Sequence, residues 1–239
     1  MCTHATDPDR DVATAESGRL TRRALLGGGS ATIGLALVGC GIGPFDRDPV
    51  NTVPVAEPTI LGTAEWGARA PRRAASVIRH RPELIVVHHT TDPNTANVDR
   101  ANAIMIAKKT QNYHMDSNGW SDTGQHFTVS RGGFALEGRT TSLANSRNGK
   151  RFTLGAHAAG ANERSVGIEN EGSYFTASMP TAQWNSLVAL TSWLCTQHRI
   201  GVDGIVGHRD VTATTCPGNW LYGQLPRLRR EVQAVLTGG

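Results

Sequence analysis

The sequence predicts a single α/β domain, in which a central mixed β-sheet is flanked by helices. Four short segments are rich in β-branched residues, three longer segments carry apolar residues at helical spacing, and the two kinds alternate along the chain. Such alternation is typical of a sheet that is covered by helices. The chain has 239 residues, of which 38% are hydrophobic and 18% charged, and this composition suits a soluble globular protein.

Residues 1–39 predict an export signal. In TRRALL, Arg22 and Arg23 precede an apolar run that is too short to span a bilayer comfortably, and the adjacent arginines resemble a twin-arginine signal. The run ends in LVGC, which resembles a lipobox, the place where a bacterial cysteine is lipidated. We therefore expect Cys40 to anchor the protein to the outer face of the cytoplasmic membrane, with a simple secretory signal as the alternative.

Residues 40–58 predict an extended tether between this signal and the domain. Prolines stand at positions 44, 49, 54 and 58, and the segment has no apolar period. The folded domain is then expected to span residues 59–239.

The strand and helix predictions follow in chain order. Strands are predicted at residues 83–90, 124–139, 165–174 and 203–211. The second strand segment is long enough for a hairpin, with its turn expected at Arg131, Gly132 and Gly133. Helices are predicted at residues 98–115, 181–199 and 224–237. Thr181 is the expected N-cap of the second helix.

The cysteines predict that no disulfide framework holds the domain. Cys2 and Cys40 belong to the N-terminal segments, which leaves Cys195 and Cys216 in the domain. Cys195 lies on the apolar stripe of the second predicted helix, so we expect it in the core. Cys216 then needs another role, and a disulfide between Cys195 and Cys216 is the alternative.

The segment GHRDVTATTCPG, residues 207–218, places His208 and Cys216 eight residues apart beside a Pro-Gly turn. A catalytic zinc site takes three protein ligands, usually histidine nitrogens, thiolates or carboxylates, and this segment can supply two of them. His88 and His89 end the apolar strand LIVVHH and are candidates for the third. Successive strand residues point to opposite faces, so only one of the two can face a metal, and periodicity does not choose between them.

An ordered series of motifs carries a more specific resemblance. The motifs are EWGARAP (65–71), IVVHHT (85–90), QNYHMDSNGWSDTGQHFTVSRGG (111–133), EGR (137–139), GAHA (155–158), SVGIENEG (165–172) and GHRDVTATTCPG (207–218). Together they resemble the type 2 N-acetylmuramoyl-L-alanine amidase and peptidoglycan-recognition protein family. This resemblance implies the fold of that family. It also implies hydrolysis of the amide between N-acetylmuramic acid and L-alanine, with peptidoglycan stem peptide and muramic acid as the partners.

The resemblance also implies a set of site residues. Zinc would be held by His88, His208 and Cys216, which leaves His89 to point into the core or to support a ligand. Glu169 matches a glutamate that transfers the proton of the attacking water. Thr214 matches a position near the developing oxyanion.

The remaining matches concern the substrate. His157 and Asn162 match a loop that lines the substrate groove, and Gln125 stands where many members carry a tyrosine in the block GYxF. Because glutamine cannot act as a general base, we expect Glu169 to carry the proton transfer. Glu171, two residues further along the strand, shares its face and is the weaker candidate.

Two other functions remain open from the sequence. A peptidoglycan-binding lipoprotein that does not cut its ligand is the main alternative: Gln125 favours it, whereas Cys216 favours the enzyme. The net charge of +4 suits an anionic surface, but no concentrated patch of Lys and Arg alternates with aromatic residues, so we expect no nucleic-acid partner. We expect a monomer that acts outside the cytoplasm, anchored to the membrane or secreted to the cell wall.

Overall fold

A computed structural model describes residues 53–239 of the chain. The predicted export signal, Cys40 and most of the predicted tether lie outside these residues. Residues 53–58 form no helix or strand, and the Val53 amide donates to the Leu236 carbonyl at 2.9 Å. Within residues 53–239, no helix combines the length and the apolar character needed to cross a membrane.

A mixed sheet forms the centre of the fold, as the sequence predicts, and it has six strands. The strands are β1 (Ile60–Leu61), β2 (Val77–Ile78), β3 (Leu84–His89), β4 (Phe127–Val129), β5 (Ala135–Glu137), β6 (Phe152–Thr153), β7 (Ser165–Asn170) and β8 (Ile205–Gly207). The spatial order is β1, β5, β4, β7, β3 and β8, while β2 and β6 form a separate antiparallel pair. All neighbours in the large sheet are parallel except β4 and β5, which form the predicted hairpin.

The helices flank this sheet. They are α1 (Arg100–Asn112), α2 (Ser142–Asn148), α3 (Thr181–His198), α4 (Asn219–Gly223) and α5 (Leu225–Thr237). The three predicted helices correspond to α1, α3 and α5. The expectation that Thr181 caps α3 was wrong: Pro180 occupies the N-cap position and Thr181 is the first helical residue. Proline fixes a φ that suits a helix start, here −58°, so no side-chain cap is needed to direct the chain.

One face of the sheet is apolar and packs against α3 and α5. Ile85, Val87 and Ile168 point to this side and join Leu187 of α3 and Leu228 of α5 in one buried cluster. Burial of such aliphatic side chains stabilises the fold by roughly 1.5–3 kcal/mol each.

The two cysteines of the domain do not form the alternative disulfide. Cys195 and Cys216 are both buried, and neither forms a disulfide. Cys195 is a residue of α3 and belongs to the core cluster, as expected, and burial raises the pKa of its thiol to about 12. Cys195 is therefore a small apolar core residue, and Cys216 lies elsewhere.

The opposite face of the sheet carries polar side chains. His88 of β3, Glu169 of β7 and Thr128 of β4 are paired in register across three neighbouring parallel strands, so their side chains point to the same side. His208 immediately follows β8. In open α/β sheets, ligands bind at the carboxyl ends of the strands, and His88, Glu169 and His208 all lie at that end.

Candidate metal centre

The structure brings His88, His208 and Cys216 together. One ligand atom from each lies within 4.8 Å of the others, and all three side chains are buried. The His88 Nδ1 is 3.8 Å from the Cys216 Sγ, close to the ~3.5 Å that separates a nitrogen and a sulfur ligand of one tetrahedral zinc ion. Spacing had indicated two of these residues. The resemblance implied His88 as the third, and the sheet brings it to the other two.

His208 gives an independent test of whether the residues fit a metal. Among residues 53–239, neither ring nitrogen of His208 has a hydrogen-bond partner, although the residue is only 2% exposed. A buried imidazole needs partners for its nitrogens, and leaving both without one is costly. A metal bound by His208, His88 and Cys216 would supply a partner for one of the two nitrogens. Two imidazoles and one thiol are also the donor types that zinc prefers, with a fourth position left open.

The surroundings of His88 favour its neutral imidazole. Burial lowers the pKa of His88 well below its ordinary value, and the neighbouring rings of His208 and His157 lower it further. A neutral imidazole keeps a lone pair on one nitrogen, which is the form that binds a metal. His88 is therefore ready to act as a ligand at neutral pH.

Of the two adjacent histidines, His88 faces the metal cluster and His89 does not. The His89 side chain is buried on the other face, where its Nδ1 accepts a hydrogen bond from the Tyr174 amide at 3.1 Å. Its ring also packs edge-on against Phe175, at 5.0 Å between centroids. His89 therefore supports the region around β3 from the core side, as the resemblance implied.

Arg209 holds the loop that carries Cys216. Its backbone amide and its Nε donate to the Cys216 carbonyl at 3.1 and 3.3 Å, and its Nη2 donates to the Thr215 carbonyl. The guanidinium also lies over the Tyr222 ring, 4.6 Å from the centroid. These contacts place Cys216 beside His208. Arg209 was not among the predicted site residues, and its position next to His208 in GHRD was the available signal.

Thr214 lies in the same loop. Its Oγ1 accepts a hydrogen bond from the Cys216 amide at 3.2 Å. The side chain is half-buried, and its hydroxyl proton remains able to donate to another group.

A small cavity lies beside the metal cluster. Its volume is about 10 Å³, which is roughly the room that one water needs. It is lined by His88, His114, Trp120, Gly124, Gln125, Ala156, His157 and Glu169. Glu169 is 7% exposed and stands next to His88 across the two strands. A carboxylate is therefore held beside the candidate metal ligands.

Gln125 is a buried member of this lining. Its Nε2 is assigned as a donor to the Thr128 Oγ1 at 3.0 Å, and its Oε1 has no partner within the described part of the chain. Gln125 thus offers an amide group to whatever enters the cavity.

His157 and Asn162 also lie beside the cluster. The His157 Nδ1 is 3.0 Å from the His88 Nε2, and His157 is 8% exposed. The Asn162 Oδ1 accepts from the backbone amides of His157 and Ala158, both at 2.9 Å. The loop of Asn162 therefore presents the His157 ring directly to His88.

A comparison with known protein families identifies the family of this chain. Residues 78–219, more than half of the chain, match the family described as N-acetylmuramoyl-L-alanine amidase. The chain belongs to this amidase family. The matched residues begin in β2 and end at Asn219, the first residue of α4, so they include His88, His208 and Cys216.

Relatives of this family member include recognition proteins and named enzymes. Peptidoglycan-recognition protein SC2 of Drosophila melanogaster is 32% identical over 169 residues, which cover 70% of this chain and 84% of that protein. The N-acetylmuramoyl-L-alanine amidase of Homo sapiens is 31% identical over 172 residues, which cover 70% of this chain and 28% of that protein.

A solved structure of peptidoglycan recognition protein-LE, in complex with tracheal cytotoxin, a monomeric diaminopimelic-acid-type peptidoglycan, has a TM-score of 0.61 to this fold. It is 25% identical and covers 70% of this chain and 92% of its own. The mixed sheet with flanking helices is thus the fold shared by these proteins.

Proposed function

We propose that this family member is a zinc-dependent N-acetylmuramoyl-L-alanine amidase, which hydrolyses the amide between N-acetylmuramic acid and L-alanine in peptidoglycan. The observation that carries the proposal is a cluster of three buried ligands, His88, His208 and Cys216, beside the Glu169 carboxylate, which lines a small cavity together with His88. A recognition protein needs no buried thiol beside two imidazoles. Hydrolysis of an amide needs both an electrophilic activator and a proton carrier.

The chemistry requires a C–O bond to form and the C–N bond to break, with one proton of water passing to the departing nitrogen. When bound, zinc supplies Lewis acidity that lowers the pKa of water to about 7 and polarises carbonyl oxygens. Glu169 accepts the proton from the attacking water and then delivers it to the nitrogen. Its position beside His88 keeps the carboxylate within the cavity where both events occur.

Gln125 contributes as a hydrogen-bond donor in this proposal. Amide oxygen and nitrogen atoms are assigned from their partners, and here the assigned oxygen has no partner among residues 53–239. If the two atoms exchange places, the Thr128 hydroxyl donates to the Gln125 oxygen and an N–H points to the cavity. Gln125, with the Thr214 hydroxyl, would then donate to the oxyanion that develops at the substrate carbonyl.

The proposed substrate is a peptidoglycan fragment that contains both muramic acid and the start of the stem peptide. This proposal rests on the recognition protein that was solved with tracheal cytotoxin. It also rests on the chemistry of the cut, because both sides of the scissile amide must lie at the cavity. A groove running past His157 and Asn162 would hold the fragment.

A defined substrate tests the activity. The purified protein, loaded with zinc, is incubated with N-acetylmuramoyl-pentapeptide, and the products are identified by mass spectrometry. We expect free pentapeptide, no release after chelation, and recovery when zinc is restored. Intact substrate, together with measurable binding to the zinc-loaded protein, would make the protein a recognition module that does not cut its ligand.

We also propose that Cys40 carries a lipid that anchors the protein outside the cytoplasm. Each buried methylene of an acyl chain contributes about 0.8 kcal/mol to membrane binding. We therefore expect Cys40→Ala to release the protein from membranes on cell fractionation, whereas the matched variant Cys2→Ala should stay bound. Unchanged membrane retention of Cys40→Ala would show that a lipid on Cys40 is not the anchor.

A further inference from the structure

We infer that His157 is a positioning residue, which fixes the orientation and the tautomer of the zinc ligand His88. The inference rests on the proposed zinc site and adds to it a defined chain of hydrogen bonds behind the ligand. This chain runs from His88 through His157 and Ser165 to the Ala161 carbonyl. It links β3, the loop before β7 and the first residue of β7.

The directions of these bonds follow from the end of the chain. A carbonyl oxygen can only accept, so the Ser165 hydroxyl donates to the Ala161 carbonyl at 2.6 Å. The Ser165 oxygen can then accept from the Nε2–H of His157, at 3.4 Å. With its proton on Nε2, a neutral His157 has a lone pair on Nδ1.

That lone pair determines the state of His88. The Nδ1 of His157 can only accept, so the His88 Nε2, 3.0 Å away, must donate. The single proton of a neutral His88 is therefore on Nε2, and its Nδ1 is left with a lone pair. This is the atom that lies 3.8 Å from the Cys216 sulfur. The chain of hydrogen bonds thus turns the metal-binding nitrogen of His88 toward the cluster.

The His157 ring is also confined by packing. A Cβ placed on Gly155 would lie 2.7 Å from the His157 Cδ2, and one placed on Gly167 would lie 2.6 Å from its Cγ. Real Cβ atoms essentially never approach so closely, so only glycine at both positions leaves room for the ring. Asn162 fixes the backbone of the same residue. His157 therefore has one available orientation, the one that meets His88.

The effect on metal binding can be anticipated. A histidine ligand commonly donates its second ring N–H to a partner that fixes its tautomer, and loss of such a partner typically costs 10–100-fold in metal affinity. Here the donor and the acceptor are both buried, so the bond is shielded from bulk solvent.

A pair of nearly isosteric variants separates the hydrogen bond from packing. Asparagine and leucine have almost the same shape, but only asparagine offers an oxygen near the position of the histidine Nδ1. We expect His157→Leu to weaken zinc binding 10–100-fold, and His157→Asn to stay within a few-fold of the wild-type protein. The zinc dissociation constant is measured by competition with a chromophoric chelator. The visible spectrum of the cobalt-substituted protein reports the ligand geometry.

A third variant tests the far end of the chain. Ser165→Ala removes the acceptor for the His157 Nε2–H and frees His157 to take the other tautomer, so zinc binding should weaken even if both His157 variants misfold. Equal weakening in the asparagine and leucine variants, or wild-type affinity in His157→Leu and Ser165→Ala, would overturn the inference alone. Failure of the wild-type protein to bind zinc would overturn the metal site as well.

Discussion

Replacement of Cys216 with serine is expected to leave the protein without bound zinc. The thiolate is the only anionic ligand of the three, and His88 and His208 are neutral donors that cannot balance the metal charge. A serine hydroxyl in the same buried position stays protonated and is a poor ligand. Loss of a supporting contact alone costs up to about 100-fold in affinity, so loss of a ligand should exceed that.

Elemental analysis after dialysis measures this result, and the second cysteine of the domain provides the control. Cys195 is also buried, but it lies in the core cluster with α3, and no metal-ligand group includes it among the described residues. Cys195→Ser should therefore keep one zinc per chain, at some cost in stability, while Cys216→Ser loses it. A full complement of zinc in folded Cys216→Ser would remove Cys216 from the ligand set.

Local patterns predicted the longer elements and failed for the shortest. Six-residue strands such as β3 and long helices such as α3 show their period in the sequence. The strands β1, β2 and β6 have two residues each, which is too few for any period. Their positions depend on pairing with distant strands, and that information is not local.

Some residues of the candidate site could likewise be predicted from the local sequence, and others could not. Spacing pointed to His208 and Cys216, because both lie in one turn. Periodicity did not choose between His88 and His89, and the family resemblance implied His88. The direction of each side chain from β3 agrees with that choice. The role of Arg209 depends on carbonyl groups of a loop whose path is not visible in the sequence.

His157 shows the limit of a family resemblance. The resemblance implied a residue on the wall of a substrate groove, whereas the structure adds a buried hydrogen bond to His88. The space for this contact comes from the absence of side chains at Gly155, in the loop after β6, and at Gly167, in β7. This space around the His157 ring forms only when the chain is folded, so the periodicity of the sequence does not predict it.

Glu169→Gln is expected to lower turnover by about 10²–10⁴-fold without removing the metal. Glutamine has the size of glutamate but cannot accept a proton from water at neutral pH, so both proton transfers lose their carrier. None of the three ligands is changed, and zinc content by elemental analysis should match the wild-type protein. The rate is measured as release of pentapeptide from N-acetylmuramoyl-pentapeptide at saturating substrate.

Glu171 provides the matched control, since it is two residues further along the chain, directly after β7, and was the weaker candidate for the base. Its Oε1 accepts from the Asn102 side chain at 3.0 Å and its Oε2 from the Arg131 amide at 2.8 Å. These bonds tie α1 and the β4–β5 turn to the end of β7, so Glu171→Gln should reduce the free energy of unfolding and leave turnover of the folded protein nearly unchanged. If folded, zinc-loaded Glu169→Gln still turns over at the wild-type rate, Glu169 is not the general base. An inactive but stable Glu171→Gln would identify Glu171 as the general base.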